Sequence, residues 1–361
     1  MAEIESRKIW DIDRAYPGKG SWGGQEPPRS QRTGGEIHPD LVRFKGHWYC
    51  GFKESGRSRI IRSADGEAWE TVKLFDWEGV WNGRPYLSVT SENVLMVNSW
   101  AKPLGPTGRK GAATGESRIP RQYAVSWLSE DGENWGTVNG SLAPILFSTT
   151  WFDGVGYAFG ARDGTLYFTL DGKAWHPLAE NQYPDRGEGA SFDPHDLGSP
   201  QGTVKRRCSE GGLAFDPKDA RGFCLLRTDP VCAMVGVADP PNYDNWTWRE
   251  TQVKWTADGD LVPANEVMGV QLGGPVLKHL SDGRLFGAGR ADNSTPTTPR
   301  ARQILFFVNP KEAVLTPFAK LDGFGHYSGV VEHEGKLWIA CGGERQHDAY
   351  EVFLVKIDVP G

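Results

Sequence analysis

Apolar and polar residues alternate along this chain in short runs, and most runs end at Gly, Asp or Pro. Alternation with a period of two marks a strand with one buried face, and no sustained helical periodicity interrupts it. The pattern predicts an all-β fold. Three of the runs lead into the same turn: Ser63-Ala64-Asp65-Gly66-Glu67-Ala68-Trp69, Ser129-Glu130-Asp131-Gly132-Glu133-Asn134-Trp135 and Thr169-Leu170-Asp171-Gly172-Lys173-Ala174-Trp175. In each, a hydroxyl and a carboxylate are placed to accept from nearby backbone N–H groups. Gly supplies a positive φ, and Trp brings a large apolar face to the start of the next strand. A hairpin recurring every 40 to 65 residues or so points to a repeated four-strand unit, and so to a β-propeller.

Taken in order, the runs group into six blades. Blade one takes residues 41–44, 48–52, 59–62 and 69–75; blade two takes 86–89, 94–97, 123–127 and a strand after Trp135. Blade three takes 150–152, 156–159, 165–168 and 175–178. Blade four takes 212–215, 222–226, 234–237 and, after a degenerate turn at 243–246, residues 248–255. Blade five takes 275–277, 284–288, 304–308 and 315–321, and blade six 329–331, 337–341 and 352–355. The run at 7–12 has no sequential partner and is assigned to blade six, because closing the ring with it removes an exposed edge. The expected architecture is a six-bladed β-propeller of four-stranded antiparallel blades, closed by the N-terminal strand, with residues 1–361 as one domain.

Composition narrows the classes. An apolar share of 38%, with 15 Trp and 16 Phe, is enough to fill such a core. The net charge of −6 argues against a nucleic-acid partner held by a general basic surface. No apolar run is long enough to span a bilayer, and residues 1–8 do not resemble a signal peptide, so no membrane partner is expected, and a cytoplasmic location unless a leader has been trimmed, in which case the protein is secreted. Five cysteines without metal-ligand spacing read as buried free thiols, and neither a metal nor a cofactor is expected.

The long irregular segments place the active face. Those before Leu41, at 102–120, at 180–208 and at 291–299 all fall at the end of the propeller opposite the Asp-Gly turns. Function on a rigid scaffold concentrates in long loops. Starts of first strands and ends of second strands at that end bring His38, Asp40, Glu54, Arg84, Glu210, Arg227, Arg290 and Tyr327 around the central channel. Arginines from separate blades suit a carboxylate through paired hydrogen bonds, so the implied ligand is acidic.

Over nearly its whole length the chain resembles the sialidase (neuraminidase) superfamily. The three turns are similar to that family's Asp boxes, with one residue fewer between Asp and Gly. Ser209-Glu210, with Arg227 seventeen positions on, is similar to the family's glutamate and second arginine. Gly325-His326-Tyr327-Ser328-Gly329 is similar to the segment carrying its tyrosine nucleophile. The resemblance implies Tyr327 as nucleophile and Glu210 as its base. It also implies a carboxylate clamp of Arg227 and one of Arg290, Arg300 or Arg302; Arg84 would supply a further guanidinium from the next blade, and His38 and His326 are read from their positions as candidate substrate-binding residues.

Two departures concern the remaining roles. Ile37-His38-Pro39-Asp40 stands where the family's first arginine precedes Ile-Pro, and Phe52-Lys53-Glu54-Ser55-Gly56 stands where its aspartate acid is found. Glu54 or Asp40 would then be the acid. The chemistry is coherent, because a sialoside bears its carboxylate on the anomeric carbon, which repels an anionic nucleophile but not a phenol activated by a glutamate. A retaining exo-glycosidase acting on an acidic oligosaccharide or glycoconjugate is the reading implied. Two others stand beside it: a polysaccharide lyase using His38, Asp40 and His326 with Tyr327, and a non-catalytic propeller binding sugars on Trp22, Trp81, Trp100 and Trp151.

Overall fold

A computed structural model describes residues 4–12, 37–54, 57–75, 80–82, 84–103, 123–138, 146–160, 164–180, 207–229, 233–253, 272–291, 302–322, 324, 329–343 and 351–361. Within them the alternating runs become strands of six sheets. The chain opens with β1 (Ile4–Asp11) and then builds blade one from β2 (Asp40–Phe44), β3 (His47–Glu54), β4 (Arg57–Ser63) and β5 (Glu70–Phe75). Blade two has a split inner edge, β6 (Val80–Asn82) and β7 (Tyr86–Val89), followed by β8 (Leu95–Pro103), β9 (Tyr123–Ser129) and β10 (Gly136–Val138). Blade three is β11 (Thr150–Phe152), β12 (Val155–Phe159), β13 (Leu166–Thr169) and β14 (His176–Ala179). Blade four is β15 (Arg207–Phe215), β16 (Gly222–Asp229), β17 (Ala233–Ala238) and β18 (Thr247–Glu250). After β19 (Gln252–Val253), blade five is β20 (Leu272–His279), β21 (Leu285–Ala291), β22 (Arg302–Asn309) and β23 (Val314–Asp322). Blade six is β24 (Gly329–His333), β25 (Lys336–Gly343) and β26 (Glu351–Asp358), with β1 antiparallel to β26 as its outer strand. The inner strands β2, β7, β11, β15, β20 and β24 each touch the next, and β24 returns to β2, so the ring closes.

Two strands differ from expectation. The run at 248–255 does not continue as one strand: β18 ends at Glu250, and β19 pairs parallel with β23 of the next blade. Thr251 ends the ladder, because both its N–H and its hydroxyl donate to Ala233 O at 3.1 Å, and Gln252 N–H then turns to Ala313 O at 2.8 Å. The other is β6, too short to show as a run, which pairs with the far half of β8 while β7 pairs with the near half.

The repeated turns also hold the blades to one another. In the first, Gly66 N–H donates to Ser63 Oγ at 2.9 Å and Glu67 N–H to Asp65 Oδ1 at 2.7 Å, and the same bonds recur around Asp131 and Asp171. Each glycine has φ between 75° and 82° and lies against the second strand of the preceding blade: Gly66 on Trp338, Gly132 on Tyr49, Gly172 on Met96. In blade four, Tyr243 takes the equivalent place at φ 48° and packs its ring edge-on against Tyr157 of blade three at 5.5 Å. The core accordingly runs between blades, as in the stacks of Trp48 on Trp338 at 4.2 Å and Phe75 on Trp127 at 4.0 Å. Cys50, Cys224 and Cys341 are buried free thiols within it.

Candidate functional site

Two neighbouring inner strands are bulged at the same level. The register of β15 against β16 shifts between Cys208 and Gly211, and that of β20 against β21 shifts between Gly273 and Val276. A bulge breaks the alternation of faces and re-aims a side chain or an amide. The first turns the Glu210 carboxylate into the channel. The second, with Gly274 at φ 58°, turns its N–H toward that carboxylate and donates to Glu210 Oε2 at 2.8 Å. Gly212 permits this approach: a Cβ there would lie 2.8 Å from Leu277 N and 2.9 Å from Pro275 O, which are backbone atoms of β20.

Guanidiniums from two further positions reach the same carboxylate. Arg227, near the end of β16, places Nη1 3.2 Å from Glu210 Oε2, and Arg84, just before β7, places Nη1 3.5 Å from Oε1. The three side chains are only 18%, 16% and 9% exposed, so the pairs are held in partly desolvated surroundings where Coulomb attraction is stronger than at an open surface. Arg290 pairs with Gly273 across β20 and β21, and its guanidinium lies over that glycine. Arginines from blades two and four thus meet at one glutamate, and Arg290 of blade five lies over the glycine that precedes the donating amide.

Below this group is a cavity of about 50 Å³ lined by His38, Asp40, Tyr86, Thr149, Glu210 and Lys278 among others. That is space for a few waters. Asp40 closes the wall between blades one and two, with Oδ1 accepting from Leu41 N–H at 2.9 Å and Oδ2 from Leu87 N–H at 2.8 Å. Burial pushes its carboxyl above the ordinary range, against the opposing charge of Lys278. The Tyr86 phenol lines the same cavity. Burial is the main cause that pushes it up to about 12, with Arg84 opposing and Glu210 adding to the rise.

Other expected residues are placed differently. Glu54 is fully buried at the end of β3, where Arg59 Nε and Nη2 reach its Oε2 at 2.8 and 2.6 Å and Arg57 Nη2 lies at 3.6 Å. His38 is 2% exposed at φ 49° and lines the cavity. The backbone of Arg302 pairs with Ala291 and Asp322. Its side chain, with His326, Tyr327, Arg300, Trp22 and the side chains of Trp81 and Trp100, lies outside the described residues. Among the described residues no cluster of three or more His, Cys, Asp or Glu has the make-up of a metal site. Reading the sequence missed the Gly274 amide, Tyr86 and Lys278. The signal for the first was a pair of Gly-Gly steps, Gly211-Gly212 and Gly273-Gly274, at the start of adjacent first strands.

Solved structures of six-bladed propeller glycosidases share this fold. No family model matches the sequence, and no curated protein does. A protein of unknown function from Dyadobacter fermentans superposes with a TM-score of 0.63 at 12% identity, over 98% of this chain and 99% of that one. A Penicillium chrysogenum alpha-L-arabinanase complexed with arabinobiose gives 0.60 at 14% identity, over 99% and 98%. The NanB sialidase of Streptococcus pneumoniae gives 0.59 at 9% identity, over 92% and 70%. At such identities the likeness is one of fold.

Proposed function

We propose that the protein is a retaining glycoside hydrolase that releases a terminal sugar bearing a carboxylate next to its anomeric carbon. The observation carrying this reading is the convergence of Arg84, Arg227 and the Gly274 N–H on Glu210, with Arg290 beside them. Two guanidiniums against one carboxylate, with a third over the adjoining glycine, leave an excess of positive charge, which suits an anionic ligand. The donors on Glu210 hold it as an acceptor, the state required of a base. Glycosidase-like neighbours and the resemblance to sialidases support the reaction class.

In this mechanism Glu210 takes the phenolic proton of Tyr327, and the phenol oxygen attacks the anomeric carbon as the bond to the leaving oxygen breaks. Asp40, the carboxyl whose affinity for a proton burial raises, fits the acid that delivers a proton to that oxygen better than Glu54, which two arginines occupy. Water then attacks the glycosyl–tyrosine and gives its proton to the Asp40 carboxylate, while the departing phenolate recovers its proton from Glu210, so both carboxyl groups return to their starting states. The arginines hold the substrate carboxylate throughout.

Fluorogenic 4-methylumbelliferyl glycosides of a sialic acid and of arabinose, together with a uronate oligosaccharide, test the proposal. Fluorescence is expected from the acidic glycoside, with no unsaturated product absorbing in the near ultraviolet. Such an absorbing product from the uronate would instead assign a lyase. Affinity for acidic sugars without any product would assign a binding module.

A further inference from the structure

Glu210 receives donors of two kinds, and they differ in what they can do for a base. Arg227 Nη1 lies 3.2 Å from Oε2 and Arg84 Nη1 3.5 Å from Oε1, each at the end of a long side chain that can follow the carboxylate as it turns. The Gly274 N–H, whose nitrogen lies 2.8 Å from Oε2, belongs to a backbone held on both sides of its bulge, where Gly273 pairs with Arg290 and Val276 with Ala288. It cannot follow. Three glycines make this contact possible. Gly274 stands at φ 58°, a conformation costly for most side chains. A Cβ on Gly212 would lie 2.8 Å from Leu277 N, and one on Gly273 would lie 3.2 Å from Arg290 Nε. Blade five thus delivers a fixed amide to a carboxylate of blade four.

We propose that the Gly274 backbone amide is a positioning group, which fixes Oε2 of Glu210 and thereby leaves Oε1 as the oxygen that takes the phenolic proton. The role of Glu210 as base rests on the reading given under Proposed function. Proton transfer needs the accepting lone pair at a set distance and angle from its donor, and a carboxylate that turns about its last bond presents either oxygen in many directions. One short bond to an ionised oxygen, made by a donor that cannot move, stops that turning. Arg227 reaches the same oxygen, so Oε2 is engaged from two sides, whereas the guanidinium nearest Oε1 stands at the longer 3.5 Å. Blade five therefore acts on the base through its main chain.

The tie is read first without substrate. In protein labelled with ¹⁵N and ¹³C, the Gly274 amide resonance, assigned by its connectivity to Leu272 and Gly273, is compared at neutral pH between wild type and Glu210→Gln. An ionised acceptor draws an amide proton downfield, so the resonance is expected to move upfield in Glu210→Gln; an unmoved resonance overturns the proposal. The role is read next, in kinetics. Cell-free synthesis with glycolic acid at position 274 replaces the N–H by an ester oxygen and alters no side chain. On whichever of the methylumbelliferyl glycosides is turned over, kcat is expected to fall about tenfold to a hundredfold, the worth of a hydrogen bond to a charged group, with KM little changed. In the Glu210→Gln background the ester should add no further loss. A general weakening of the fold would lower both backgrounds alike, and an equal loss in both overturns the proposal. The same pattern on the arabinoside alone keeps the positioning role and removes the acidic substrate, whereas no turnover of either glycoside removes the base and its positioning group together.

Discussion

Replacing Glu210 by Gln is expected to lower kcat on an acidic aryl glycoside about a thousandfold, the scale of losing a positioned general base. Gln keeps an oxygen for the Gly274 N–H, which donates at 2.8 Å in the wild type, so the two bulged strands retain their tie. It removes the negative charge on which Arg84 and Arg227 converge at 3.5 and 3.2 Å. The two guanidiniums then lose an internal competitor, and affinity for an acidic sugar is expected to hold or rise as turnover falls. Steady-state kinetics with calorimetry on the same sample reads both quantities. A parallel loss of binding and turnover would show that Glu210 serves to hold the arginines and has no part in the chemistry.

The largest effect on stability is expected at Glu54. Its carboxylate is fully buried and takes two bonds from Arg59, with Arg57 at 3.6 Å. Removing one partner of a buried ion pair leaves charge without compensation and typically costs about 3–5 kcal/mol. Glu54→Ala should lose that much in urea unfolding, because Arg57 and Arg59 are left in a strand hairpin only 9% and 15% exposed. Glu54→Gln should lose less, since it keeps the volume and an acceptor. If Glu54 were instead the proton donor of the reaction, both variants would fold with near-normal stability and lose activity.

Much of this architecture can be read in the sequence because it rests on local chemistry. A strand with one buried face alternates, and a Ser or Thr followed by Asp-Gly makes its turn from its own side chains, so the blades appear residue by residue. That Arg84 and Arg227 lie near Glu210 was legible too, since antiparallel order alone brings starts of first strands and ends of second strands to one end. What could not be read depends on register. Glu54 stands opposite Arg57 only because the hairpin between β3 and β4 pairs them, and nothing in Phe52-Lys53-Glu54 announces that partner. The Gly274 amide was hidden for a similar reason, as a backbone N–H acquires direction only from the bulge that turns it. Strand β19 left its blade because Thr251 spends both donors on Ala233, a contact between residues far apart in the sequence.

The account depends on Glu210 serving a phenol that becomes covalently linked to the sugar, and Tyr327 is the phenol assigned. Incubation with a 2,3-difluorinated acidic glycosyl fluoride, in which the ring fluorine slows hydrolysis of the linked sugar, followed by peptide mass spectrometry, tests this most directly. The predicted result is one sugar per chain, attached to the peptide containing Tyr327 and absent from Tyr327→Phe. Turnover of an acidic glycoside with the sugar attached to a carboxylate such as Asp40, or with unmodified protein and inverted product, would contradict it.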